Sequence, residues 1–191
     1  MSGASDSVAV ASGAALVAEL TEAGETLACA ESLTAGLVAA TVADTPGASN
    51  VLRGGVVAYA ADLKSALLGV PADLLGRVGT VDGGVAAAMA EGVRERLDAT
   101  WGLATTGVAG PGPAEGKPAG TVHVAVAGPT GTARRLLRLN GTRAQVRAGT
   151  VAAVLALALE ETRATRGTAA PVTDPRGTVG LSAPGASATE Q

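Results

Sequence analysis

Apolar residues recur along this chain at two different spacings, and each change of spacing marks an element. Leu16, Val17 and Leu20 stand at helical intervals, which predicts a helix over residues 12–23, capped by Ser12 and stopped by Gly24. The run over residues 26–30 is short, apolar and continuous, the pattern of a buried strand. Helical spacing then returns over residues 32–44 and ends in the turn Asp44-Thr45-Pro46-Gly47. A second strand over residues 56–59 leads into a short helix over 62–68, and Pro71 opens another helical turn. Asp82 caps a long helix reaching about residue 98.

The third strand, residues 101–105, runs into a Gly- and Pro-rich loop over 107–120, and a loop of that length is more often functional than incidental. Two strands, 121–127 and 132–139, are joined by Gly128-Pro129-Thr130-Gly131 and form an antiparallel hairpin, so the sheet is mixed. A last helix over 142–163 takes its apolar positions from Val146, Val151, Val154, Leu155, Leu157 and Leu159. Strands alternating with helices predict an α/β fold, a three-layer α/β/α sandwich with a mixed sheet. The folded domain is assigned to residues 1–164. The segment 165–191, rich in Gly, Ala, Pro, Ser and Thr without a hydrophobic period, is read as a disordered tail.

Composition changes this picture in one respect. The 191 residues include no Phe, one Trp and one Tyr, so the core is built from Ala, Val and Leu and its elements approach closely. Small-residue helices also permit, without requiring, a homo-oligomer. A formal charge of −3 gives no broad footprint for nucleic acid or an anionic membrane. One Cys and one His exclude an intrachain disulfide and the usual zinc ligand sets, so neither metal nor cofactor is expected. No basic leader precedes an apolar core at the N-terminus, and no run reaches the roughly 18 apolar residues of a membrane span, which predicts a cytoplasmic protein.

Ser32 stands where the first strand passes to a helix, beside backbone N–H groups that lack intrahelical partners and that are suited to a developing oxyanion. Serine at such a position also serves as a plain helix cap, and both roles stay open. A nucleophilic serine needs a base. The sole histidine, His123, lies inside a strand and is read as structural, which leaves Lys64 for a Ser-Lys arrangement. A free lysine with pKa about 10.4 is only about 0.04 per cent neutral at pH 7, so burial has to lower that value. Tyr59, five residues before Lys64, either orients the lysine or substrate through its hydroxyl or packs as amphipathic filler.

The segment Thr106-Gly107-Val108-Ala109-Gly110-Pro111-Gly112 lets backbone approach a ligand. It lacks the Gly-Lys-Ser/Thr of a P-loop, and prolines follow it where a dinucleotide fingerprint continues into a helix. Arg143 and Arg147 stand four apart at the start of the last helix, where like charges repel and cations oppose the helix dipole. A phosphate bound at that N-terminus removes both penalties; two surface arginines are the alternative.

Taken together, Ala30-Glu31-Ser32-Leu33-Thr34-Ala35-Gly36, Tyr59 with Lys64, the 106–111 segment, Lys117-Pro118-Ala119-Gly120-Thr121-Val122, and Gly141-Thr142-Arg143 through Arg147 resemble the CinA C-terminal family. The resemblance covers roughly residues 12–161. It implies a domain that hydrolyses the carboxamide of nicotinamide mononucleotide to nicotinate mononucleotide and ammonia, with Ser32 as nucleophile and Tyr59 and Lys64 at the reacting amide. It further implies Glu31, Thr34, Gly36, Thr106, Gly107 and Gly110 around the nucleotide and Arg143 and Arg147 near its phosphate. The larger N-terminal domain of longer members has no counterpart here, so the stand-alone form is expected. Three departures stand out. Ala35-Gly36 replaces the family's Gly-Gly, Tyr59-Ala60-Ala61 replaces Tyr-Ser-Asn, and Asp82 stands where serine is common. A nucleotide-binding module of the same fold with reduced or no turnover is the alternative to an amidohydrolase.

Overall fold

The computed structural model describes residues 3–168. In chain order the elements are α1 (Gly3–Ala23), β1 (Leu27–Glu31), α2 (Leu37–Ala43), a 3-10 turn (Ala48–Asn50), β2 (Leu52–Val57), α3 (Ala61–Leu68), α4 (Ala72–Val78), α5 (Gly83–Arg96), β3 (Trp101–Gly107), β4 (Thr121–Gly128), β5 (Gly131–Arg138) and α6 (Arg143–Thr168). The sheet order is β2-β1-β3-β4-β5. β1 pairs parallel with both β2 and β3, whereas β3-β4 and β4-β5 are antiparallel. The mixed α/β sheet predicted from the hairpin is therefore present.

Alternation along each strand divides the core into two layers. Leu27 and Cys29 of β1, Leu103 of β3 and Val122, Val124 and Val126 of β4 pack with Leu16, Leu20, Val38, Val42, Val154 and Leu155, so α1, α2 and α6 cover one face. The opposite face is made of Ala28, Ala30, Ala104, Ala125 and Ala127, which meet Leu68 of α3 and Val85, Met89, Ala90 and Val93 of α5. The alanine face has a geometric purpose. At Gly102 of β3 a Cβ would lie 2.0 Å from the carbonyl oxygen of Ala90, and at Gly92 of α5 one would lie 1.8 Å from that of Leu68. Helix α5 thus rests almost backbone to backbone on the sheet and on α3.

Several boundaries differ from the sequence expectation, each for a physical reason. α1 begins at Gly3, so Ser12 lies inside the helix and caps nothing; buried Ala9 extends the stripe of Leu16 and Leu20 upstream with a side chain too small to register as a period. β2 begins at Leu52, because Gly54 and Gly55 hide its alternation; at Gly55 a Cβ would lie 3.4 Å from both Ala39 Cβ and the Cys29 carbonyl oxygen. α6 continues to Thr168, so residues 165–168, assigned to the tail, are helical, and the rest of that assignment lies outside the described residues. Its start is a reciprocal cap, in which Thr142 N–H donates to Gln145 Oε1 at 2.8 Å and Gln145 N–H donates to Thr142 Oγ1 at 3.3 Å. Among the described residues no helix is long and apolar enough to cross a membrane.

Candidate active site

The three parallel strands β1, β2 and β3 end on the same side of the sheet, the usual place for a ligand in an open α/β fold. Immediately after β1 the chain does not enter a helix, as had been expected at Ser32. Ala35 (φ 50°) and Gly36 (φ 96°) both adopt the left-handed region, which interrupts helix formation until Leu37. The helix cap is supplied from behind. The buried Glu31 carboxylate accepts from the N–H groups of Gly36 (2.8 Å), Val38 (3.1 Å) and Ala39 (2.9 Å), so the first N–H groups of α2 are taken by the protein's own anion. Ser32 is therefore not a cap, and its hydroxyl is left for another partner.

That partner is Lys64 of α3. Its Nζ lies 3.0 Å from Ser32 Oγ, 2.7 Å from the carbonyl oxygen of Ala58 and 3.4 Å from that of Tyr59. Lys64 is 1% exposed and Ser32 9%. No ion pair involves Lys64 among the described residues, and burial lowers its pKa from the ordinary value, opposed in part by the charge of Glu115. The two carbonyls fit either form of the amine: neutral Nζ donates its two N–H groups to them and turns its lone pair to the Ser32 hydroxyl.

A cavity of about 310 Å³ opens beside this pair, lined by Leu33, Tyr59, Thr80, Val81, the 107–110 segment, Gly112, Pro113, Ala114, Glu115 and Arg143. Gly107 and Gly110 are thus among its lining residues. Tyr59 is 56% exposed, and its hydroxyl accepts from Arg143 Nη2 at 2.7 Å. Arg143 Nη1 donates to the carbonyl oxygen of Gly110 at 3.1 Å, so one guanidinium ties α6, the Gly-rich loop and the end of β2 together at the rim. Tyr59 acts on Lys64 only through its backbone carbonyl.

The remaining candidates are spent on the protein itself. Thr34 Oγ1 lies 2.7 Å from Thr105 Oγ1, and Thr106 Oγ1 donates to the Thr80 carbonyl at 2.7 Å. Arg147 is half-buried; its Nε donates to the Leu33 carbonyl at 3.0 Å and its Nη2 to that of Thr34 at 2.8 Å, which pins the turn after Ser32 to α6. His123 sits within β4, paired with Thr106, where burial holds its imidazole below the usual value despite the charge of Asp82. Cys29 is buried, and burial together with the Glu31 charge pushes its thiol far above the usual range. Among the described residues no His, Cys, Asp and Glu side chains gather as a metal site.

One contributor escaped the sequence reading. Glu115 accepts from Thr80 N–H (2.7 Å), Thr80 Oγ1–H (2.6 Å) and Val81 N–H (3.3 Å), which fixes the turn before α5 as one wall of the cavity. Burial pushes its carboxyl up, but these hydrogen bonds together with Lys117 outweigh that and hold it below the ordinary value. The matching signal is Gly79, where a Cβ would fall 2.3 Å from Glu115 Oε2. The two lie 36 positions apart, so no local pattern joins them.

The profile of the CinA C-terminal domain family matches residues 10–162. A CinA-like protein of Frankia casuarinae is 53% identical over 138 residues, 72% of this chain and 32% of the relative. One from Gloeobacter violaceus is 52% identical over 139 residues, 72% of this chain and 32% of its own length. The chain thus spans about one third of these curated relatives. The crystal structure of the competence/damage inducible protein CihA from Agrobacterium tumefaciens superposes with a TM-score of 0.78 at 31% identity, covering 82% of this chain and 96% of that one. A CinA superfamily protein of Escherichia coli gives 0.78 at 30% identity, covering 84% and 92%. With the profile spanning most of the chain and the strand-turn-lysine geometry in place, the protein belongs to the CinA C-terminal domain family.

Proposed function

We propose that the chain is an amidohydrolase that converts nicotinamide mononucleotide to nicotinate mononucleotide and ammonia. The observation that carries this reading is the buried Lys64 Nζ at 3.0 Å from Ser32 Oγ, with no carboxylate paired to it among the described residues. In this reading neutral Lys64 takes the Ser32 proton as Oγ bonds to the carboxamide carbon and the C=O π pair moves to oxygen. The adduct collapses by C–N cleavage, and Lys64 returns the proton to the departing nitrogen, so that ammonia leaves. Water then attacks the acyl-serine ester; Lys64 accepts its proton and passes it to Ser32 Oγ, releasing the acid. Arg143 at the rim is proposed to meet the phosphate and the Gly107 to Gly110 backbone to receive the nucleotide. No cofactor enters this scheme.

A second reading, a nucleotide-binding module without turnover, is favoured by the cavity lining, which includes Leu33 and Tyr59 but neither Ser32 nor Lys64. Ammonia release from nicotinamide mononucleotide separates the two. We expect release in the wild type and its abolition in Ser32→Ala and in Lys64→Met, with nucleotide binding retained in both. Binding without release in the wild type favours the module. Turnover within about threefold of wild type in either variant contradicts the assigned pair, since a positioned acid-base group contributes at least about a hundredfold.

A further inference from the structure

The turn that carries Ser32 accounts for its backbone donors almost completely. Ser32 N–H donates to the Thr105 carbonyl, Ala35 N–H to that of Ser32 and Leu37 N–H to that of Thr34, while Gly36, Val38 and Ala39 donate to Glu31. Two are left over. The N–H groups of Leu33 and Thr34 donate to nothing among the described residues, although Leu33 is 3% exposed and Thr34 fully buried. Buried N–H groups without a partner are rare in native proteins because desolvation goes uncompensated, and these two directly follow the nucleophile.

Their peptide planes are held at the other end. The Ser32 carbonyl, across the peptide from Leu33 N–H, accepts from Ala35 at 3.2 Å. The Leu33 carbonyl, across from Thr34 N–H, accepts from Arg147 Nε at 3.0 Å. The cis peptide bond among the described residues is Gly110-Pro111, so both these peptides are trans and each N–H points away from its held carbonyl. Arg147 thereby aims Thr34 N–H away from α6, whereas Lys64 meets Ser32 from α3 in the opposite helical layer.

We infer that the backbone N–H groups of Leu33 and Thr34 form the oxyanion hole of this enzyme, and that Arg147 is its positioning residue. The inference rests on Ser32 as the nucleophile in the function proposed above. The oxyanion produced by attack on the carboxamide carbon accepts from these two donors, whose peptides are each held at the carbonyl end, by Ala35 and by Arg147. Glu31 contributes by occupying the first N–H groups of α2, so the oxyanion has the Leu33 and Thr34 donors rather than the helix N-terminus.

The test replaces Thr34 by its α-hydroxy acid analogue, which turns the Leu33-Thr34 amide into an ester and deletes one donor. That N–H bonds nothing in the protein, so no folding hydrogen bond is lost with it. We expect kcat for ammonia release from nicotinamide mononucleotide to fall about 10²- to 10³-fold, with the Kd of the nucleotide within about threefold. The rate at which a fluorophosphonate labels Ser32 should fall in parallel, because its phosphoryl oxygen takes the same position. Arg147→Ala should likewise lower kcat at least about tenfold with little change in KM, a split that a ground-state phosphate ligand does not give. Labelling and turnover both within about threefold of wild type in the ester variant overturn the hole. Wild-type protein that takes the phosphonate yet releases no ammonia overturns the amide reading instead, and the labelling ratio still decides the hole.

Discussion

Lys64 is enclosed by two carbonyl oxygens and one hydroxyl, partners that a neutral amine satisfies as well as an ammonium does. Burial penalises the charged form, so the folded protein favours release of the proton below the ordinary lysine range, and Glu115 partly offsets that. The proposed base is active when neutral. Activity should therefore rise with pH through the lowered value and level off above it, and log(kcat/KM) should climb with unit slope to a midpoint below 10.5. Glu115→Gln removes the charge that raises the value, so the midpoint should move further down. A pH-rate profile of both proteins checks this. A flat wild-type profile, or an upward move in the variant, assigns the base elsewhere.

At the scale of elements, the cleft depends on how low α5 sits, because Asp82, its cap at 2.7 Å from Gly84 N, follows directly on the Thr80-Val81 wall. Gly102→Ala places a methyl group against the Ala90 carbonyl, and Gly92→Ala places one against that of Leu68. In an exposed helix the second change gains about 1 kcal/mol; here the contact with a backbone oxygen reverses the sign. Overpacking costs typically about 1 to 3 kcal/mol, so thermal melts of either variant should fall by roughly 3 to 10 °C. An unchanged or raised Tm shows that α5 has room to lift. The same close packing explains what could be read from sequence. β1, β3, the hairpin and the Asp82-capped helix carry large apolar residues or strong turn signals and were legible; α1 upstream of Ser12 and β2 at Gly54-Gly55 rely on small residues and were not. Ser32 and Lys64 were joined from sequence by elimination of other bases rather than by a local pattern, since 32 positions separate them and β1 and α3 bring them to 3.0 Å. The role of Glu31 was hidden by the left-handed conformation of Ala35, a residue that ordinarily avoids it.

Across the whole molecule, α6 delivers two arginines one turn apart to two different tasks. It packs along α1 in one layer, yet its first turn reaches the ends of β1, β2 and β3, where Arg143 meets Tyr59 and Gly110 while Arg147 grips Leu33 and Thr34. Sequence alone offered the two a common phosphate site, with two surface arginines as the alternative; in the structure their hydrogen bonds go to different partners. Arg143 is exposed at the rim, and a charge-assisted bond from it to phosphate contributes roughly 1.5 to 3 kcal/mol. Arg143→Ala should accordingly lower kcat/KM for nicotinamide mononucleotide by about ten- to a hundredfold and hardly affect the riboside, which lacks the phosphate. Arg147→Ala should lower kcat for both substrates by the same factor, because the peptide it orients serves the reacting carboxamide that both contain. Steady-state kinetics of the two variants on the two substrates give the comparison. A riboside rate that survives Arg147→Ala while the mononucleotide rate collapses returns Arg147 to the phosphate, and a ratio unmoved by Arg143→Ala removes Arg143 from it.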